Sequence, residues 1–276
     1  MAAEPLARDL RRPPARTGSR PHRTPWTLLY HSVDRGTQDP DPFTVTPERF
    51  AAQMRWLDRH GLRGVGMAEL LRAAAGGRAA GLVGLTFDGG YADFLHGALP
   101  VLQSYGFTAT VYVVADRLGG HSTWNPETPG RQLLTAGQVA AVADAGMEIG
   151  SHGMAHTALP GLTGEVLATE TARSREVLRA VAGRPVEGFC YPYGEVDSRS
   201  LAAVRAAGYD YACAVGQSPL SGRHALPRCR VGDRDHGWRL HVKRARHLAQ
   251  ELRGAAARRR TLGVPAGVGG GLRPAG

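Results

Sequence analysis

Short apolar segments alternate with helix-like segments along most of the chain, and this alternation constrains the fold more than any other feature. Runs rich in Val, Leu and Tyr predict buried strands at residues 26–33, 81–88, 108–114, 147–152, 188–194 and 209–215. A helix is predicted to begin at Pro47, after the N-cap Thr46, and to end at Gly61. Continuously apolar strands separated by helices are typical of a parallel sheet covered by helices. About seven such units predict a βα barrel, in which functional residues lie at the carboxyl ends of the strands.

The charge is concentrated at the two ends of the chain. The formal net charge is +10, but residues 1–24 contribute six arginines against two acidic residues, and residues 236–276 contribute nine basic residues against Glu251. The remainder carries 19 basic and 21 acidic residues, so the body is near neutral. We predict a disordered tail at residues 1–24, a barrel domain at 25–253 and a second disordered tail at 254–276. Basic tails rich in Arg, Pro and Gly are usually solvated disorder, so they do not indicate a nucleic-acid or an anionic-lipid partner.

Cysteine usage and hydropathy exclude several classes of protein. The three cysteines, Cys190, Cys213 and Cys229, are widely spaced and include no Cys-x-x-Cys pair, so neither a disulfide framework nor a thiolate zinc site is indicated. No apolar run approaches the ~20 residues that span a bilayer, and the Arg- and Pro-rich start lacks the apolar core of a secretory signal. We therefore expect a cytoplasmic protein without a membrane span.

Polar residues follow several predicted strands at the point where each strand ends. His31, Asp88, His152 and the segment 191–193 all occupy such positions, so separate strands should deliver polar groups to one rim of the barrel. His152 and His156 are four residues apart, and at that spacing two imidazoles can point the same way and share a metal. Two unconnected surface histidines are the alternative interpretation.

Three motifs together resemble the polysaccharide deacetylase family, which includes the chitin and peptidoglycan N-deacetylases of carbohydrate esterase family 4. The segment Thr-Phe-Asp-Gly-Gly begins at Thr86, His-Gly-Met-Ala-His spans 152–156, and Cys-Tyr-Pro-Tyr-Gly spans 190–194. The resemblance extends from about Trp26 to Val231. It implies a deformed (β/α)7 barrel, a divalent metal, usually zinc, and hydrolysis of an N-acetyl group from an amino sugar.

The resemblance also implies roles for individual residues. Asp88 matches the general base that takes a proton from the metal-bound water, and His152 and His156 match the two imidazole ligands. Tyr193 matches the tyrosine whose backbone N–H helps to hold the tetrahedral oxyanion. Zinc lowers the pKa of its bound water towards ~7 and polarises the amide carbonyl, so these roles form a coherent mechanism.

The sequence departs from the family pattern at several positions. Gly89 stands where the family has its carboxylate metal ligand, Cys190 where it has an arginine that braces the base, and Gly153 where it has Ser or Thr. The fourth motif, Asp-x-x-Asp-Trp, is absent from the sequence. The histidine that would serve as general acid is represented at most by His241, which directly follows Leu240.

Loss of the carboxylate ligand leaves three outcomes open. Asp93, Asp34 or His31 could substitute as ligand, although Asp93 could equally cap a helix and His31 could orient Asp88. The metal could instead bind weakly through two histidines and water. The chain could also be a catalytically impaired or metal-free relative that binds a sugar or performs other amide chemistry. The substrate could be a polysaccharide, a peptidoglycan fragment or a smaller amino-sugar intermediate, and the oligomeric state is not predicted.

Overall fold

The computed structural model describes residues 25–35, 44–124 and 130–261, with side chains as far as residue 253. A parallel sheet forms its centre. The strands are β1 Thr27–Tyr30, β2 Arg63–Val65, β3 Leu82–Gly89, β4 Thr110–Val113, β5 Glu148–Ser151, β6 Gly188–Cys190, β7 Tyr211–Cys213 and β8 Cys229–Arg230. Seven of them follow the order β7-β6-β5-β4-β3-β1-β8, and β2 pairs with β3 beside this path. The sheet curls into a half-barrel, which confirms the predicted deformed (β/α)7 barrel.

Helices cover the outer face of this sheet. The α-helices are α1 Pro47–Arg59, α2 Met67–Ala75, α3 Leu99–Ser104, α4 Ala136–Asp144, α5 Gly164–Ala168, α6 Ser174–Ala182, α7 Ser198–Ala206 and α8 Gly237–Thr261. Thr46 caps α1 by accepting a hydrogen bond from the Arg49 N–H, as its sequence predicts. A π-helical turn, Thr169–Arg173, joins α5 directly to α6. Strands β2 and β8 and helices α2 and α8 were not predicted.

The strand register brings the predicted site residues to one level. Tyr30 of β1 pairs with Phe87 of β3, so His31 and Asp88 each lie one residue beyond a matched pair. Val113 of β4 pairs with Ser151 of β5, which places His152 at the same edge. Beneath this edge the rings of Tyr30 and Phe87 stack at 5.3 Å between centroids, so β1 and β3 share a packed aromatic core.

The chain ends require one correction. Helix α8 continues to Thr261, so residues 254–261 are helical and do not belong to a disordered tail as predicted. The predicted tails at residues 1–24 and 262–276 lie outside the described residues. Within the described part of the chain no helix is both long and apolar enough to cross a membrane. The cytoplasmic location stays a prediction.

Candidate active site

A cavity of about 280 Å³ opens at the carboxyl ends of the strands. It brings together six of the residues that the sequence singles out, namely His31, Asp88, Gly89, His152, His156 and Tyr193. Asp34 and Asp93 are not among its lining residues. Asp93 instead accepts hydrogen bonds from the Ser32 hydroxyl at 2.6 Å and the Val33 N–H at 3.2 Å, so it holds the loop after β1.

Asp88 forms a buried ion pair with Arg228. The guanidinium donates from Nη1 to Oδ1 at 2.7 Å and from Nη2 to Oδ2 at 2.8 Å. Burial alone would raise the pKa of Asp88, but the charge and the hydrogen bonds of Arg228 outweigh it and hold that pKa below its ordinary value. Asp88 is therefore a fixed carboxylate at neutral pH.

Arg228 takes over the bracing position that the family pattern assigns to residue 190. Its Nη2 lies 3.0 Å from the Cys190 Sγ, and that sulfur lies 3.3 Å from Asp88 Oδ2. The small thiol thus leaves room for a guanidinium that arrives from the segment preceding β8. The sequence analysis did not identify Arg228, because it is a single arginine after Ala225–Pro227 and no motif marks it.

His152 presents one nitrogen to the cavity in a defined tautomer. Its Nδ1 lies 2.8 Å from the Cys190 carbonyl oxygen, which can only accept, so Nδ1 carries the proton. Burial lowers the pKa of His152, and the nearby Asp88 only partly offsets this. The ring is then neutral and its Nε2 keeps a lone pair, which is the usual arrangement of a metal-binding histidine.

His156 occupies a strained position beside His152. Its φ is 63°, a left-handed conformation that costs a residue other than glycine energy. Its ring stacks on Trp124 at 4.3 Å and meets the His152 ring edge-on at 4.7 Å. Burial lowers the pKa of His156 to about 2. The Nδ1 atom is buried with no hydrogen-bond partner among the described residues, so one nitrogen of this neutral ring is left for a ligand.

The loop that carries both histidines is held by a buried carboxylate that the sequence analysis did not identify. Glu170, in the π-helical turn Thr169–Arg173, accepts hydrogen bonds from the Met154 N–H at 2.8 Å and the Ala155 N–H at 3.2 Å. A Cβ on Gly153, whose φ is +84°, would lie 2.6 Å from Glu170 Oε2. Glycine therefore replaces the Ser or Thr of the family pattern because Glu170 fills the adjacent space.

Replacing Glu170 with glutamine should lower the free energy of unfolding by about 1–3 kcal/mol, because it removes the charge of the acceptor and puts an NH2 group, which can only donate, in place of one oxygen. Urea denaturation measures this change. Glu165→Gln is the matched control, since Glu165 is exposed one turn earlier and should change stability by less than about 0.5 kcal/mol. Equal effects of the two substitutions would show that Glu170 does not hold the histidine loop.

The remaining predicted residues occupy distinct places. Tyr193, with a φ of 59°, lies in the turn Pro192–Gly194, and its ring meets that of His156 at 4.8 Å. Burial lowers the pKa of His31 to about 4, so this cavity imidazole is neutral at pH 7. His241 does not line the cavity and packs instead against Trp56 and His60 at 4.8 and 4.7 Å. It is therefore wrong as a candidate general acid.

A side chain at residue 89 would have to displace the Tyr91 ring in this backbone conformation. The φ of Gly89 is +101°, and a Cβ built there would lie 2.6 Å from Cε2 of Tyr91. The Tyr91 ring thus fills the space that a side chain at residue 89 would enter.

Two sets of residues compete as the place for a metal. Ligand atoms of Asp88, His152 and Cys190 lie within 4.8 Å of one another. However, the Arg228 guanidinium touches both Asp88 and Cys190, so a dication there would meet a fixed positive charge. Arg228 hydrogen-bonds to neither His152 nor His156 among the described contacts, and both imidazoles are neutral, so this pair fits a metal better.

The chain belongs to the polysaccharide deacetylase family. The family model, described as polysaccharide deacetylase, matches residues 75–212. This range runs from the end of α2 to β7 and contains Asp88, both cavity histidines 152 and 156, and Cys190. Arg228 lies outside the matched range.

Individual relatives agree with this family and fold. The Bacillus subtilis (strain 168) protein YxkH, whose name assigns it provisionally to the polysaccharide deacetylases, is 29% identical over 209 residues, which are 74% of this chain and 70% of that protein. The Streptococcus pyogenes deacetylase PplD, solved in complex with acetate, is 22% identical with a TM-score of 0.68 and matches 79% of this chain and 97% of PplD. A de-N-acetylase from Aggregatibacter actinomycetemcomitans is 20% identical with a TM-score of 0.67, over 79% of this chain and 98% of that one. At these identities the two structures show the shared fold.

Proposed function

We propose that this chain hydrolyses an N-acetyl, or similar N-acyl, group on an amino sugar. The observation that carries the proposal is the convergence of one fixed carboxylate, Asp88, and two neutral imidazoles, His152 and His156, in a single cavity. These are the residue types that amide hydrolysis with an activated water requires. Family membership supports the same class of reaction.

His152 and His156 would hold a divalent ion, for which we propose zinc because imidazole nitrogens suit it. Such an ion supplies a Lewis acid and lowers the pKa of bound water. The open lone pair of His152 and the unpartnered Nδ1 of His156 support this assignment. Since Gly89 contributes no carboxylate, we expect weaker binding than a site with an anionic third ligand would give. His31 is the neutral nitrogen in the cavity that we propose as its substitute.

The residues of the chain would divide the remaining tasks. Asp88 would receive the proton of the attacking water, and Arg228 keeps its carboxylate in place by two hydrogen bonds. The same pairing weakens Asp88 as a base, because a lowered pKa reduces the driving force for proton uptake. The Tyr193 backbone N–H would stabilise the oxyanion that develops on the amide oxygen. We therefore expect slow turnover.

Asp88→Asn should abolish release of acetate from an N-acetylglucosamine oligomer, because asparagine cannot accept the proton of the attacking water. The same substitution leaves Arg228 without its counterion, so turnover must be expressed per folded molecule, with the folded fraction taken from circular dichroism. Asp144→Asn is the control, as Asp144 is exposed and lies outside the cavity lining. Acetate release by folded Asp88→Asn at the wild-type rate would contradict the proposed role.

A second candidate function is sugar binding without hydrolysis, and the geometry of Gly89 favours it. Residue 89 has no side chain to bind a metal, and its positive φ and the adjacent Tyr91 ring disfavour one. Metal content of the purified chain separates the two candidates. Stoichiometric zinc together with acetate release supports the hydrolase, whereas metal-free protein that binds the oligomer unchanged supports the binding protein.

A further inference from the structure

Helix α8 exposes an apolar stripe to solvent. Six large hydrophobic residues are exposed among the described side chains, and four of them lie on this helix. They are Trp238, Val242, Leu248 and Leu252, with exposed fractions of 63, 38, 43 and 64%. Exposed apolar side chains concentrated on one element mark an interaction surface more often than scattered ones do.

The stripe lies on the side of α8 that faces away from the barrel. At 100° per residue, Trp238, Val242 and Leu252 fall within about 80° of one another, and Leu248 extends this sector to about 120°. Leu240 and Glu251, which are 0 and 6% exposed, lie about 160° and 140° from Trp238. The helix therefore docks on the barrel through one side and presents a second apolar side that nothing in the described structure covers.

Basic side chains accompany the stripe. Between residues 237 and 253 the helix carries Arg239, Lys243, Arg244, Arg246 and Arg253, and its only acidic residue in that range, Glu251, is buried. The Arg239 guanidinium lies 5.3 Å from the centre of the Trp238 ring. Residues 258–260 add three more arginines to the same helix. Lys243 pairs with Asp235 at 3.2 Å, so the positive charge beside the apolar stripe comes from the arginines.

We propose that α8 binds the surface of an anionic lipid bilayer, with the four-residue stripe inserted at the level of the headgroups. An amphipathic helix with Trp and Leu on one side and Arg around it has the composition of interfacial membrane helices. A nucleic acid would use the arginines but would leave the apolar stripe in water. A second copy of the helix would cover the stripe, but it would bring like charges together. This inference is independent of the proposed hydrolase function.

Co-sedimentation of the full chain with lipid vesicles tests the proposal. The chain should bind vesicles of phosphatidylcholine mixed with phosphatidylglycerol, and should bind pure phosphatidylcholine vesicles far less. The double variant Trp238→Ser/Leu252→Ser should weaken binding at least ~10-fold, because it removes the two most exposed apolar side chains of the stripe. High salt should weaken binding of the wild type, because it screens the arginines.

Val166→Ser is the matched control, because Val166 is 44% exposed on α5 and lies outside the stripe. Circular dichroism should show that all variants remain folded. The proposal is overturned if anionic vesicles do not bind, or if the double variant binds them as well as Val166→Ser does. It is also overturned if light scattering shows a wild-type dimer that the double variant abolishes. A further contrary result would be an oligonucleotide that displaces vesicles from the wild type and from the double variant equally well.

Discussion

Replacing Arg228 with methionine should lower the free energy of unfolding at neutral pH by about 3–5 kcal/mol, because it leaves the Asp88 carboxylate buried without a counterion. The two side chains are 0 and 4% exposed, so water cannot compensate for the lost charge. Methionine fills much of the volume of the arginine stem, which limits the contribution of an empty cavity. Urea denaturation of the wild type and the variant measures the difference.

The loss should shrink in acid. In the wild type the pKa of Asp88 is lowered by Arg228, so this group stabilises the fold above its ordinary pKa and loses that contribution as pH falls. In the variant burial dominates and raises the pKa of Asp88, so protonation as pH falls removes the cost of the buried, unpaired charge.

Arg72→Met is the matched control, because the Arg72 side chain is 67% exposed and its pairing with Glu187 should contribute less than about 1 kcal/mol. A cost no greater than that of the control would contradict the importance of the buried pair.

Replacing Gly89 with aspartate should raise zinc affinity by about 10-fold or more, because it returns an anionic ligand to the strand end beside His152 and His156. The same substitution should lower the free energy of unfolding of the metal-free chain by about 1–3 kcal/mol, since φ is +101° and the new Cβ meets the Tyr91 ring. Calorimetric zinc titration and urea denaturation measure the two effects separately.

Gly89→Ala is the control that isolates strain from ligation. It should destabilise the metal-free chain to a similar degree but should leave zinc affinity unchanged, because it adds a Cβ without a ligand. Equal zinc affinities of the wild type and both variants would mean that the aspartate does not reach the ion. A titration of His152→Ala would then show whether the histidines hold zinc at all.

Local features of the sequence predicted most of the strands that carry the site and the residues at their ends. Apolar strand patterns ending in Asp88 and His152 are properties of short segments, and parallel pairing then brings these ends together. Six of the eight strands and the shared cavity followed from this reasoning. Strands β2, Arg-Gly-Val, and β8, Cys-Arg, lack a continuous apolar run, so they do not stand out from loops in the sequence.

The contacts that complete the site could not be predicted in the same way. Arg228 reaches Asp88 across 140 positions of the chain, and arginine is rarely fully buried, so nothing nearby in the sequence pointed to it. Glu170 appeared as one acidic residue within a helical pattern, although it is 3% exposed. The positive φ of Gly89 and the position of the Tyr91 ring beside it are not encoded by any motif.

The π-helical turn Thr169–Arg173 makes the histidine loop depend on the number of residues in a helix and not only on their identity. A π turn contains one residue more than a regular α-helical turn. Deleting one residue here would turn the preceding helix by about 100° relative to α6. Glu170 would then swing away from the Met154 and Ala155 amides. A one-residue change of length in this turn should therefore disturb the loop that carries the histidines. The helix would thus affect the site although it contributes no side chain to the cavity lining.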